Sequence, residues 1–112
     1  MRVATVLFRD EEAGTLTQKD DGTFLFQYLD VWTNDQAKPP ISLTLPKKKK
    51  AFESKDLFPF FFHLLPEGYN RDAICRQYQI DRNDHMGLLL TAARTDVIGA
   101  VRIIPKKNHG DT

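Results

Sequence analysis

The residue types that could do chemistry in this 112-residue chain are few and widely separated. His63, His85 and His109 stand far apart, Cys75 is the sole cysteine, and neither C-x-x-C nor H-E-x-x-H spacing occurs, so no metal site is expected. Ser54, Asp56 and His63 supply nucleophile, acid and base types within ten positions. A triad, however, is defined by convergence in space rather than by nearness in sequence. The six glycines are scattered and form neither G-x-G-x-x-G nor G-x-x-x-x-G-K, so a phosphate-binding loop is not expected either. His63 reads as a surface residue and Cys75 as a small hydrophobe within a helix. The chain is therefore expected to be non-catalytic, without cofactor or metal.

Two stretches remain that could bind something. Lys47, Lys48, Lys49 and Lys50 form an unbroken basic run that could neutralise phosphates and is the candidate nucleic-acid contact. The net charge is only +1 and no aromatic residue interleaves the run, which is the pattern of a solvated loop rather than a nucleic-acid groove. The second stretch is "LFPFFFHLLPEGYNRD", residues 57–72, with four phenylalanines and three leucines between positions 57 and 65. On a helical wheel its apolar residues cover an arc of roughly 200°, whereas a surface helix needs about 100° to face its own core. Either a sheet wraps the surplus, or part of it faces a partner. Pro66, Glu67 and Gly68 break the stretch, and the turn should push the ring of Tyr69 outward as an anchor. Glu67, Gly68, Tyr69, Asn70 and Arg71 are the candidate partner-binding residues.

The elements that must position these residues follow from the patterning. Val3–Phe8 has strand length, and Asp10–Gly14 reads as a turn with Gly14 suited to positive φ. Thr15–Lys19 alternates weakly, Asp21-Gly22 is a hairpin signal, and Thr23–Trp32 is rich in aromatic and β-forming residues. Ile41–Leu45 alternates strictly and reads as a strand. Ser54 or Asp56 could cap a helix from about Leu57, with Pro59 tolerated in its first turn. Further helices are expected from about Asn70 to Tyr78 and from about Asp84, and a last strand from Asp96 to Ile104. Trp32 is expected in the core. The sum is an α+β domain: a small curled antiparallel sheet of about five strands packed with two or three short helices. One domain over residues 3–105 with a polar tail over 106–112 is expected. The apolar fraction of 41 % and charged fraction of 28 % are those of a soluble globular protein. No stretch approaches the eighteen or so apolar residues of a membrane span, and the first residues do not read as a signal peptide. A single cysteine fits a reducing compartment, so the cytoplasm is the expected location.

Five stretches, "VLFRDEEAGTLTQKDDGTFLFQYL", "ISLTLP", "LFPFFFHLLPEGYNRD", "GLLLTAA" and "DVIGAVRIIP", together resemble the N-terminal subdomain of HipA-type toxin kinases. The F-P-F-F-x-x-L-L-P-E-G run and the closing D-x-x-G-A-V-R with its following proline are the specific elements. In long members of that family the module precedes a kinase body that carries the ATP loop, catalytic aspartate and metal-binding residues. In three-component HipBST toxin–antitoxin systems a similar module stands alone as HipS and counteracts the kinase HipT, with HipB as the DNA-binding component. The resemblance thus implies an antitoxin or regulatory subunit whose partner is a HipT-like kinase toxin, with a HipB-like protein in a ternary complex. Tyr69 stands where the family commonly has tryptophan. Two alternatives remain: a DNA-associated accessory domain using Lys47–Lys50, or the N-terminal subdomain of a full-length HipA kinase.

Overall fold

A run of strand-forming residues, with Ala4, Thr5 and Val6 all buried, makes β1, Arg2–Phe8, which turns at Arg9-Asp10 into β2, Glu11–Gln18. In this computed structural model residues 1–65, 68–95 and 101–105 are described, apart from the side chains of Tyr69 and residues 92–95. The β1–β2 turn is not the glycine turn expected over Asp10–Gly14. Arg9 and Asp10 themselves take φ of 50° and 68°, and Phe8 pairs with Glu11. Two positive-φ residues between paired strands match the right-handed twist of a hairpin.

Gly14 lies inside β2, opposite Val6 on β1 and Tyr28 on the strand that follows. A Cβ there would sit 2.3 Å from the backbone oxygen of Gln27, so the glycine is required by close backbone approach, not by turn geometry. The expected hairpin at Asp21-Gly22 is present: Gly22 has φ 90°, and its N–H donates to the Lys19 carbonyl at 2.9 Å. β3 runs from Phe24 to Tyr28 and stops there. The expected extension to Trp32 is replaced by one helical turn, α1, Asp30–Thr33. The reason lies in Trp32: its indole N–H donates to the Pro39 carbonyl at 2.8 Å, and its ring meets Phe8 edge-on at 5.7 Å. That placement buries Trp32 as expected.

Ile41–Leu45 is not a ladder strand; its only pairing is an isolated bridge between Ser42 and Leu45. Ile41 and Leu45 are buried, yet Leu43 between them is 95 % exposed. The alternation reflects a loop folded over Tyr28, whose hydroxyl donates to the Leu45 carbonyl and accepts from the Ile41 N–H at 3.1 Å. The fourth strand is instead β4, Ala51–Ser54, which ends on the residue expected as a possible helix cap. With β5, Val101–Pro105, the antiparallel sheet has the order β4-β3-β2-β1-β5. The stretch before Val101 that was expected to begin this strand lies outside the described residues, as does the tail from Lys106. The architecture is the expected α+β class with a five-stranded antiparallel sheet.

Cross-strand partners set the core in two rows. Phe52, Phe26, Leu16 and Ala4 form one, and Tyr28, Gly14, Val6 and Ile103 the other. On this face pack α2, Pro59–Phe62, through buried Phe58, Phe61 and Leu65, and α4, His85–Thr95, through buried Met86, Leu88 and Leu89. Helix α3, Gly68–Tyr78, adds half-buried Ile74 and Cys75. It ends in a Schellman-type cap, with Gln79 at φ 55° and the Ile80 N–H donating to the Cys75 carbonyl at 3.0 Å.

Two substitutions test this account by chemical denaturation. Gly14→Ala should lower stability by about 3 kcal/mol through the backbone clash, seen as a lower midpoint at unchanged slope. Gln79→Gly should raise it by about 0.5–1 kcal/mol, because glycine meets no Cβ penalty in the left-handed cap.

Candidate docking face after the aromatic turn

The aromatic stretch forms a turn and a half of helix rather than nine helical residues. Phe58 precedes the helix without a side-chain cap, and neither Ser54 nor Asp56 caps it. The Ser54 hydroxyl instead accepts from the Asp56 N–H at 3.3 Å. Pro59 begins the helix, where its missing N–H costs nothing. The Phe62 and His63 N–H groups donate four residues back, but those of Leu64 and Leu65 donate only three back, to Phe61 and Phe62. The chain thus tightens into a 3₁₀-like turn. Most of the surplus apolar arc enters the core: Leu57, Phe58, Phe61 and Leu65 are buried, and Phe60 and Leu64 are half-buried against them. His63 is exposed, as its place on the wheel requires. Phe62 is the ring left out, 42 % exposed.

Two other elements close on that ring. The guanidinium carbon of Arg71, on α3, lies 5.9 Å from its centroid. The His85 imidazole, at the start of α4, meets it edge-on at 5.4 Å and 87°. Of the five expected partner-binding residues, Glu67 lies outside the described residues, as does the side chain of Tyr69. Gly68 and Asn70 are exposed, and Arg71 is half-buried beside Phe62. Gly68 does not simply stop a helix; it opens α3 with φ 54° and open space where a Cβ would be. Residues 68–71 therefore begin a helix on the flank of an exposed aromatic ring. The sequence reading missed Phe62 and His85 as members of this face. An apolar arc wider than a helix needs was the available signal, but it could not say which ring would overflow.

His85 is held in place by the residue before it. The Asp84 carboxylate accepts from the Gly87 N–H at 3.1 Å, and its carbonyl accepts from the Leu88 N–H at 3.0 Å, capping α4. Arg2, at the start of β1, donates to both carboxylate oxygens, one of them at 3.1 Å. The Arg2 hydrogen bond, joined by that of Gly87, holds the Asp84 carboxyl below the usual carboxylate range. The cap thereby ties the start of β1 to the first turn of α4, beside the candidate docking face.

The lysine run is drawn into its own fold. Lys47 donates to the carbonyls of Asp35 and Lys38, both at 2.6 Å. Lys49 lies 5.5 Å over the Phe52 ring, and Lys50 pairs with Asp30. Among the described residues no group of histidine, cysteine, aspartate and glutamate is arranged to hold a metal ion. No helix among them is long and apolar enough to cross a membrane.

Sheet order, the aromatic turn and the capped helices together define a class that comparison identifies. Residues 4–104 match the family model of the HipA N-terminal domain, and the chain belongs to that family. A solved structure, the N-terminal domain of HipA toxin, superposes with a TM-score of 0.71 at 26 % identity, over 97 % of this chain and 96 % of that one. "Putative kinase Y4mE" of Sinorhizobium fredii is 30 % identical over 106 residues, 95 % of this chain but 25 % of that protein. The chain thus spans about a quarter of that relative's length. An uncharacterized protein of Haemophilus influenzae is 33 % identical over 92 residues, 82 % of each chain.

Acid unfolding tests the Asp84 clamp. Its folded-state pKa is lowered, so its contribution is fully present above the unfolded value and is lost as pH falls through the folded one. Arg2→Met should therefore be less stable than the parent at neutral pH. The gap should begin to narrow as pH falls below the ordinary carboxylate value of about 4, where the unfolded chains protonate, and should close only once pH has passed below the lowered folded-state value of the parent. A gap that persists unchanged into acid would remove the carboxylate from the account.

Proposed function

We propose that this chain is a non-catalytic antitoxin or regulatory subunit that binds a HipT-like serine/threonine kinase toxin and suppresses it within a three-component system. A HipB-like DNA-binding protein is the third member. What carries the reading is the exposed Phe62 ring at the end of α2, alongside exposed Gly68 and Asn70 at the start of α3. A core helix would have hidden the ring; a subunit that works by contact needs such a ring accessible. Support of a second kind comes from the Haemophilus relative, which this module covers over 82 % of its length, leaving no room for a kinase-sized body there. Suppression needs no chemistry from the subunit. Phosphoryl transfer depends on positioning ATP and closing loops around it, so a bound partner that favours one conformation is enough.

The lysine loop speaks against the DNA-accessory alternative as the main role, because Lys47, Lys49 and Lys50 are engaged with their own chain. Placement at the front of a full-length HipA kinase is decided by the adjacent reading frame: a separate kinase lacking this module supports the split system.

Titrating the protein into a HipT-like kinase that lacks this module, while following complex formation and autophosphorylation together, tests the proposal. Binding with loss of autophosphorylation is expected, and Tyr69→Ala should weaken binding by about tenfold or more. Binding with activity intact would make the chain an assembly subunit. Absence of binding at micromolar concentrations would overturn the kinase-partner reading.

A further inference from the structure

The turn that closes the loop over Tyr28 presents the residue type on which a serine/threonine kinase acts. We propose that Thr44 is a phosphoacceptor, modified by the partner kinase at its exposed hydroxyl. This rests on the kinase-partner reading above and adds to it that the subunit is also a substrate.

Accessibility singles the residue out. Of the serines and threonines whose side chains are described, Thr5 and Thr17 are buried and the others are half-buried, except Thr44, which alone is exposed. Phosphoryl transfer needs the acceptor oxygen in line with the γ-phosphate inside a cleft, so a hydroxyl within the sheet cannot reach it in the folded chain. The turn holds this one outward. The Leu45 N–H donates to the Ser42 carbonyl at 3.1 Å, which puts Leu43 and Thr44 at the two tip positions. Ile41 and Leu45, on either side, are buried, and each is bonded to the Tyr28 hydroxyl. Leu43, beside the acceptor, is 95 % exposed. The tip is thus a short projection on a fixed base. The Thr44 hydroxyl shares a hydrogen bond of 2.9 Å with the Ser42 hydroxyl, an exposed contact that water replaces at little cost.

The lysine run supplies a second observation, because it begins three residues after Thr44. Lys47, Lys49 and Lys50 tie down their own loop, whereas Lys48 is exposed and takes no part in those ties. A basic segment beside the acceptor complements a kinase site whose base and metal ligands are carboxylates. In the transfer, Thr44 Oγ1 forms a bond to the γ-phosphorus of ATP and the bond from that phosphorus to ADP breaks. The hydroxyl proton passes to the catalytic aspartate of the kinase. The product adds about two negative charges just ahead of the lysines.

The test incubates the full chain with ATP, magnesium and a molar excess of a HipT-like kinase that lacks this module. Kinase copies without a bound subunit then stay active, which autophosphorylation in the same reaction verifies. Intact mass and peptide mapping read the phosphate, and calorimetry reads binding. One phosphoryl group on Thr44 is expected. Thr44→Val should lose it, whereas Thr44→Ser and Ser42→Ala should keep it, each with the circular dichroism of the parent. Phosphate on another residue, unchanged in Thr44→Val, would overturn the proposal. A parent chain that binds the active kinase and gains no phosphate would also overturn it, while the kinase-partner reading stands. If the parent does not bind, that reading fails and takes this inference with it.

Discussion

The fold depends on one ring meeting three others. Phe26, fully buried on β3, lies 4.8 Å from Tyr28, 6.4 Å from Phe52 and 5.6 Å from Phe61, centroid to centroid. Through these contacts the second strand neighbour, the loop tethered by Tyr28 and the aromatic turn all bear on the same point. Burying aromatic rings contributes more per residue than any other choice available to so small a domain, and their edge-to-face geometry adds to the area term. Gly14 belongs to the same arrangement. The position its Cβ would take is 3.1 Å from a carbon of the Phe26 ring as well as 2.3 Å from the Gln27 carbonyl oxygen. The ring and the neighbouring backbone approach β2 closely because nothing larger than hydrogen stands there.

Tyr28 carries the constraint outward. Its ring completes the aromatic cluster, while its hydroxyl holds the Ile41–Leu45 loop by both a donated and an accepted hydrogen bond. Burial pushes its pKa upward, so the hydroxyl keeps the proton it donates to Leu45. That loop leads directly into the lysine run, and the Lys50 carbonyl accepts from the Tyr28 N–H at 2.9 Å. The four lysines thus follow a segment already fixed by the core. The contacts of Lys47, Lys49 and Lys50 with Asp30, Asp35, Lys38 and Phe52 finish that job. A basic run that looked like an electrostatic instrument in one dimension is largely a set of ties in three.

How much of this was legible in the sequence depends on whether the signal was local. The Asp21-Gly22 hairpin, the proline that opens α2 and the Asp84 start of α4 were readable, because backbone conformation and capping are decided within a few residues. The errors share another origin. Gly14 looked like a turn residue because glycine has two uses, left-handed conformation and close approach, and only the second depends on a strand distant in sequence. Ile41 and Leu45 alternate like a strand because each packs towards Tyr28, yet the exposed Leu43 shows that no ladder imposed the period. β4 was missed since four residues after a lysine run carry too little pattern, and its strand character comes from pairing with Phe24–Gln27. Phe8–Glu11 formed a tight hairpin without glycine, on Arg9 and Asp10, of which only the aspartate tolerates positive φ readily.

The exposure of Phe62 follows from the same core that hides the rest of the aromatic stretch. Phe58, Phe61 and Leu65 recur at helical spacing and face the sheet. Phe62 follows Phe61 and points about 100° away from it around the helix, so fixing Phe61 on Phe26 commits Phe62 to the rim. The tightening at Leu64 and Leu65 then ends the helix before a further turn could cover that rim. What covers it partly is supplied from elsewhere, by Arg71 on α3 and His85 on α4, and both bring polar groups to an apolar ring. A protein needing only its own stability would gain by filling the same space with leucine or methionine. An aromatic ring rimmed by a guanidinium and an imidazole is a poor end to a core, and its position is set by the contact between two fully buried rings, Phe26 and Phe61.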